Sequence, residues 1–277
     1  MHPQGKIATF LLLTLGIAGQ PLQGQTFWQG ESGGYHIQWT AANLSAKKAG
    51  PNSSISFDGA ATAKAKWKEI SAPASTPAQN SAEYSYESDY RLLSVVGPIL
   101  SVEEGEECDC GGAHPSEFTG FIAYDLSKSH TTKPVPASLL DYFSAETLYS
   151  ALMKDPVVTK ILANKKPISL SELRQDLPFE NYTNGNCDYE FGPDFLNHFA
   201  FYDHRPGFVS IRISLSHAVE TCRGQFTQVG IELPVADPVL EEALTRAKAG
   251  QSGILMKALR QKAGGKPVTS LSFPETR

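Results

Sequence analysis

Basic residues are in short supply in this sequence, with 24 lysines and arginines against 29 aspartates and glutamates. The formal net charge is therefore -5 at neutral pH. Proteins that bind nucleic acids need clustered basic charge to neutralise the phosphates. We accordingly do not expect a nucleic acid as the partner of this protein.

The sequence also gives no expectation of a common catalytic motif. We predict no serine nucleophile elbow, no H-E-x-x-H zinc motif and no glycine loop that cradles a phosphate. The Asp and His metal motifs of polysaccharide deacetylases are not recognisable either. The sequence therefore favours a protein that is not an enzyme, with no cofactor and no metal.

Long apolar runs are absent apart from residues 7–18, which follow Lys6 near the start of the sequence. This run is too short for a comfortable membrane span and has the order of a cleaved export signal. We predict a signal peptide over residues 1–25, cleaved between Gly19 and Gln25, and an uncleaved anchor is the alternative. The expected product is periplasmic or secreted, with no transmembrane segment after cleavage.

Cysteines are few, and their number is even, which in an exported protein favours disulfides. The four candidates are Cys108, Cys110, Cys187 and Cys222. They allow three pairings, and a bridge between Cys108 and Cys110 would close a tight ring. A bridge between Cys187 and Cys222 is the favoured structural one, and it would contribute about 2–4 kcal/mol.

The first third of the sequence predicts strands separated by a loop. Residues 35–39 alternate as a strand does, whereas residues 41–80 are rich in Ala, Ser, Lys and Pro and predict a poorly ordered segment. Residues 84–102 return to a strand pattern with a bend or bulge at Gly97-Pro98. An acidic tip over residues 103–110 and a further strand over residues 118–126 complete a predicted long hairpin.

Helices and a last group of strands follow. Helix starts are predicted at Ser144, Asp155, Ser169 and Asp237, each of which can cap a helix. Residues 209–215 alternate as a strand with one buried face, flanked by strands over residues 199–202 and 229–233. This order predicts an α+β fold, mainly antiparallel sheet, with helices between the strand groups and at the C-terminus.

One motif is distinctive: Gly111-Gly112-Ala113-His114-Pro115, followed by Tyr124-Asp125-Leu126 and then Leu139-Leu140-Asp141-Tyr142-Phe143. It resembles the pattern of an exported domain family found in lysozyme-sensing anti-sigma factors and beside peptidoglycan deacetylase domains. The resemblance covers about residues 84–235, and the cysteines, His217 and Cys222 depart from the family pattern. It implies the fold, and binding of a lysozyme-like protein or of peptidoglycan, but no activity.

The same motif has other readings that the residues leave open. Its glycines and proline suit a tight connection between strands, with His114 holding the loop or acting as a ligand contact. Cys108 and Cys110 with His114 are compatible with a metal site, a redox pair or a nucleophile. Their spacing is tighter than that of a zinc knuckle, and export favours a disulfide.

Charge is distributed unevenly along the sequence. Eight acidic residues and one basic residue, Arg91, fall within residues 83–109, whereas residues 246–266 hold six basic residues and no acidic one. An acidic tip can steer a basic partner, and the residues proposed for that role are Glu103, Glu104, Glu106 and Glu107. A solvated loop that only keeps the protein soluble is the alternative.

These observations predict four segments and three functional hypotheses. The segments are a signal peptide (1–25), an N-terminal strand with a flexible stretch (26–83), the anti-sigma-factor-type domain (84–235) and a C-terminal helical tail (236–277). The first hypothesis is a binding protein of the cell envelope. The second is an envelope enzyme or metal or redox protein that uses Cys108, Cys110 and His114, and the third is a scaffold without a specific ligand.

Overall fold

The computed structural model describes residues 26–40, 43–48, 54–71, 85–110, 115–128, 134–177, 189–217 and 227–262. The predicted signal peptide, Cys187, Cys222 and the first four residues of the glycine-rich motif lie outside these ranges. Within them, three antiparallel sheets and six helices confirm the predicted α+β fold with mainly antiparallel sheet. None of the described helices is long and apolar enough to span a membrane.

The first sheet contains four antiparallel strands in sequence order. They are β1 (Thr26–Ser32), β2 (Tyr35–Thr40), β3 (Asn43–Lys48) and β4 (Ser54–Asp58), followed by helix α1 (Gly59–Ser71). Alternate side chains of β2, β3 and β4 are buried, so the sheet packs one face on the core. The prediction of a poorly ordered segment after residue 40 is therefore corrected for residues 43–48 and 54–71. Their Ala and Ser content hid a period-two pattern of only two or three apolar residues per strand.

The second sheet contains three long strands, β5 (Ser85–Val96), β6 (Ile99–Asp109) and β7 (Ser116–Asp125), with β6 in the middle. Gly97-Pro98 is the two-residue turn that joins β5 to β6, with a positive φ of 55° at Gly97. The predicted bend is thus a hairpin turn. The predicted acidic tip is also corrected, because Glu103 to Asp109 continue β6, and Glu103 to Cys108 pair on both sides.

Helices α2 (Ala145–Leu152), α3 (Pro156–Leu162) and α4 (Leu170–Asp176) begin where the capping residues predict. Ser144 accepts a hydrogen bond from the Thr147 amide, and Asp155 accepts one from the Val157 amide. Ser169 likewise accepts from the Glu172 amide. Each cap satisfies amides that have no partner inside the helix.

The third sheet is built on β10 (Phe208–His217), which pairs with β9 (Phe199–Arg205), β11 (Thr227–Pro234) and the short β8 (Tyr189–Glu190). The turn between β9 and β10 is Pro206-Gly207, as the sequence predicts. The apolar face of these strands joins α2, α3 and α4 in the largest cluster of buried side chains.

Two C-terminal helices, α5 (Pro238–Ala249) and α6 (Met256–Lys262), pack into the core. Leu240 and Leu244 belong to the largest cluster, whereas Ile254 and Leu259 join the cluster that links the first two sheets. Lys248 and Lys257 both form ion pairs with Asp203 of β9. Two residues of the basic stretch 246–266 thus form ion pairs with another part of the chain.

Candidate functional site

The outer half of the second sheet is an acidic surface of the described part of the chain. In an antiparallel sheet, residues directly opposite each other share a face. The register places Glu87 opposite Glu107, and Glu107 opposite Glu117. These three residues, here called the acidic row, cross β5, β6 and β7 at the same level, and all three are exposed.

Neighbouring acids on the same face pair with a basic residue, whereas the acidic row has no such pair among the described residues. Arg91 contacts Asp89 at 3.0 Å and the buried carboxylate of Glu103 at 3.2 Å. No ion pair joins a member of the acidic row to any residue in the described ranges. Negative charge on this face is therefore concentrated on the row.

The opposite face of the same strands holds acids in a different environment. On this face, β5 carries Tyr86 and Tyr90, and β6 carries Glu104 and Glu106. Helix α1 packs beside them. Burial raises the pKa of the Glu104 carboxyl, a hydrogen bond from Tyr90 opposes that rise, and repulsion from Glu106 adds to it. Burial and a hydrogen bond to Glu106 also raise the pKa of Tyr86. These side chains pair with one another rather than forming an open charged surface.

The four predicted partner-binding residues are therefore separated by the sheet. Glu103 is only 3% exposed and belongs to an internal ion pair. Glu104 and Glu106 lie half-buried on the face shared with the tyrosines. Of the four, only Glu107 is exposed and belongs to the acidic row, whose other members, Glu87 and Glu117, were not predicted. Glu87 belongs to the acidic residues counted within residues 83–109, whereas Glu117 lies outside that range. Only the strand register places Glu87 and Glu117 on either side of Glu107.

The two described cysteines lie at the end of the same sheet. The sulfurs of Cys108 and Cys110 are in close contact, and Cys108 is buried opposite Ser116. A disulfide between them leaves neither sulfur as a free thiolate, the form in which cysteine binds a metal or acts as a nucleophile. The favoured bridge between Cys187 and Cys222 stays a prediction, because both cysteines lie outside the described residues.

The glycine-rich motif joins the strands that carry the acidic row. β6 ends at Asp109 and β7 begins at Ser116, so Gly111, Gly112, Ala113 and His114 fall between them, outside the described residues. Pro115, the last residue of the motif, is described, and Glu117 follows it by two positions. Motif and acidic row thus belong to the same end of the sheet.

Catalytic groupings elsewhere are limited. Among the described residues, no three His, Cys, Asp or Glu side chains are arranged to hold a metal ion. The letters G-x-S-x-G do occur at residues 30–34, contrary to the expectation from sequence. Ser32 is nevertheless buried in the hairpin between β1 and β2, whereas a nucleophile elbow joins a strand to a helix and exposes its serine.

No protein-family model matches the chain, and no curated protein is significantly similar to it. The resemblance of residues 84–235 to the lysozyme-sensing domain therefore stays a prediction from the motif alone.

Proposed function

We propose that this protein is an exported, non-catalytic binding protein of the cell envelope that recognises a basic protein of the lysozyme type. The acidic row of Glu87, Glu107 and Glu117 is the observation that carries this proposal. Peptidoglycan, the other ligand that the motif resemblance implies, offers no reason for a row of unneutralised carboxylates.

Unneutralised carboxylates in adjacent strands suit a cationic partner for an energetic reason. Like charges directly opposite each other destabilise a sheet. A basic partner would relieve that repulsion on binding. The negative charge of the row would also attract such a partner before contact and speed its association. Arg91, four residues after Glu87 in sequence, contacts Asp89 and Glu103.

The position of the motif supports the same proposal. The resemblance implies a domain that binds lysozyme, and the motif on which it rests lies between β6 and β7. The acidic row flanks that segment through Glu107 and Glu117. A partner that contacts the row would therefore lie near the ends of β6 and β7, between which the motif stands in the sequence.

The test is calorimetric titration of the oxidised protein with a c-type lysozyme at low and at moderate salt. We expect one-to-one binding that weakens as salt rises, because exposed charges are screened. The double variant Glu107→Gln, Glu117→Gln should weaken binding roughly 2- to 30-fold, which corresponds to about 0.5–2 kcal/mol.

The matched control is the double variant Glu31→Gln, Glu242→Gln. It changes the net charge by the same amount, but both carboxylates are exposed and lie outside the second sheet. Its affinity for lysozyme should stay close to that of the natural sequence. Equal losses in the two double variants would remove the acidic row from the proposal, and no binding at either salt would reject a lysozyme-type partner.

A further inference from the structure

The two described cysteines occupy unlike positions at the end of β6. Cys108 pairs with Tyr86 on one side and with Ser116 on the other, and it is only 7% exposed. The Ser116 hydroxyl also donates a hydrogen bond of 3.4 Å to the Cys108 carbonyl. Cys110 follows the last residue of β6 and is exposed. The sheet therefore fixes and covers one sulfur, whereas a solute can reach the other.

The spacing of the two cysteines suits a bridge that can be opened. Their Cα atoms are 5.3 Å apart, which lies within the range of disulfides. A cross-link stabilises a fold mainly by restraining the unfolded chain, and the shortest loops gain the least from it. Only Asp109 stands between the two cysteines, so a bridge here contributes little to the fold. Exposed bridges are also the more easily reduced ones.

Carboxylates surround this pair. Glu107 and Asp109 flank Cys108 in β6, and Glu106 precedes it by two residues on the same face of the strand. The rise of a strand places all three within about 7 Å of Cys108, which is less than the screening length of about 8 Å at physiological salt. Residues 92–127 contain no lysine or arginine. A thiolate that approaches the pair therefore meets a negative potential, which a positive group beside its sulfur would offset.

We propose that Cys108 and Cys110 form a thiol–disulfide exchange site whose substrates are thiols that carry a positive charge. The exposed Cys110 is the sulfur that a substrate attacks, and the buried Cys108 is the sulfur that leaves. The neighbouring carboxylates select the substrate by its charge. This site acts on free thiols and needs no lysozyme-type partner.

The exchange takes place in two steps. A substrate thiolate attacks Sγ of Cys110, so that a bond forms between the two sulfurs and the bond to Cys108 breaks. The electron pair of the broken bond stays on Sγ of Cys108, which takes a proton from water. A second substrate thiolate then attacks the substrate sulfur of the mixed disulfide, and Cys110 is released and protonated. Two substrate thiols are thereby oxidised to one disulfide, and the cysteine pair is reduced to two thiols.

The size of the selection follows from the charges near the pair. One unit charge at roughly 7 Å from another in water changes a rate by about threefold. A positive and a negative substituent differ by two units, and several carboxylates act on each of them. We therefore expect cysteamine, a cationic thiol, to react at least about tenfold faster than mercaptoacetate, an anionic one, at low salt. Uncharged mercaptoethanol should lie between them, and salt should bring the three rates together.

Tryptic peptides allow the reaction to be followed at this pair alone. Cleavage after Arg91 and Lys128 gives a peptide of residues 92–128, which contains Cys108 and Cys110 but neither of the other two cysteines. Mass spectrometry of the oxidised full chain should find this peptide with an internal disulfide. A link from it to a peptide that contains Cys187 or Cys222 would overturn the proposal.

Timed reduction of the oxidised full chain by each of the three thiols measures the selection. Alkylation of the 92–128 peptide reports the reduced fraction, and each rate is divided by that of the same thiol with a small uncharged disulfide, which removes differences in nucleophilicity. Equal relative rates for cysteamine and mercaptoacetate at low salt would reject the proposed substrate class. Acid quenching at short times should trap the mixed disulfide on Cys110, and a mixed disulfide on Cys108 would reject the assigned order of attack.

Two double variants test whether the neighbouring carboxylates are the cause. Glu107→Gln, Asp109→Asn should lower the ratio of the cysteamine rate to the mercaptoacetate rate about threefold or more. The control Glu31→Gln, Glu242→Gln changes the net charge equally, but its carboxylates lie outside the second sheet, so the ratio should stay as in the natural sequence. An equal ratio in the two double variants would show that the acids beside the pair do not select the substrate.

Discussion

Glu107 lies directly opposite Glu117 across β6 and β7, with both carboxylates exposed on one face of the sheet. Glu87 lies opposite Glu107 on the other side. Repulsion between Glu107 and its two acidic neighbours lowers the stability of the sheet, because like charges lie directly opposite each other. A basic partner, as proposed above, would offset this repulsion.

The first prediction is that Glu107→Gln stabilises the protein. Removing the central charge of the acidic row relieves two repulsive pairs, and we expect the free energy of unfolding to rise by about 0.2–1 kcal/mol at low salt. The gain should shrink in high salt, where exposed charges are screened. Urea denaturation at two salt concentrations measures it.

Its control is Glu242→Gln, which removes an exposed acid that pairs with Arg246 at 2.6 Å. That variant should be neutral or slightly less stable, because its charge is attractive rather than repulsive. If Glu107→Gln behaves like Glu242→Gln, repulsion within the acidic row is too weak to matter.

The second prediction concerns Glu103, a buried acid on the same face of the second sheet as the acidic row, which pairs with Arg91. Glu103 accepts a hydrogen bond from Arg91, and its side chain is 4% exposed. Arg91→Ala should lower the free energy of unfolding by about 1–3 kcal/mol, because a buried carboxylate loses its cationic partner. Thermal or urea unfolding near neutral pH is the measurement.

Arg205→Ala is the matched comparison for Arg91→Ala. Arg205 pairs with Glu232 at 2.9 Å, but both side chains are about half exposed. Exposed ion pairs contribute about 0–1 kcal/mol. A cost for Arg205→Ala as large as that for Arg91→Ala would contradict the argument from burial.

The third prediction concerns two serine hydroxyls that tie the second and third sheets together. The Phe121 amide of β7 donates to Ser214 of β10 at 2.8 Å, and the Phe201 amide of β9 donates to Ser94 of β5 at 3.1 Å. Ser214→Ala should cost about 1–3 kcal/mol, since it leaves a buried amide without its acceptor. Ser210→Ala, on the same strand but not fully buried, should cost clearly less in the same denaturation assay.

The fourth prediction concerns the pH dependence that Asp203 brings. Burial opposes ionisation of this carboxyl, but hydrogen bonds from Lys248 and Lys257 outweigh it and lower its pKa below 3.8. The unfolded state has the ordinary pKa of 3.8, and the folded state has the lowered one. Between these two pKa values the folded state binds fewer protons than the unfolded state. The stabilisation is present above about pH 4 and is lost as pH falls through the lowered folded pKa.

Asp203→Asn should thus be less stable than the natural sequence by about 1–2 kcal/mol at pH 7, and the difference should narrow below pH 4. Thermal unfolding between pH 2.5 and pH 7 follows both curves. A difference that stays constant over this range would show that the ionised carboxylate is not what holds the two lysines.

The sequence by itself determined those features that depend on neighbours along the chain. Ser144, Asp155, Ser169 and Asp237 begin helices because a capping side chain needs only the amides two or three residues ahead. The alternation of residues 209–215 likewise predicts β10, since the period of a strand is local. Together these signals were enough for the α+β fold class.

Features that depend on pairing between distant strands were decided by the tertiary structure. The run from Glu103 to Glu107 reads as one acidic tip along the chain, but a strand sends alternate side chains to opposite faces. Glu103 thereby contacts Arg91 with its carboxylate buried, and Glu107 lies between Glu87 and Glu117 on the surface. No local signal contains the register that brings those three carboxylates together, and it is this register that creates the acidic row.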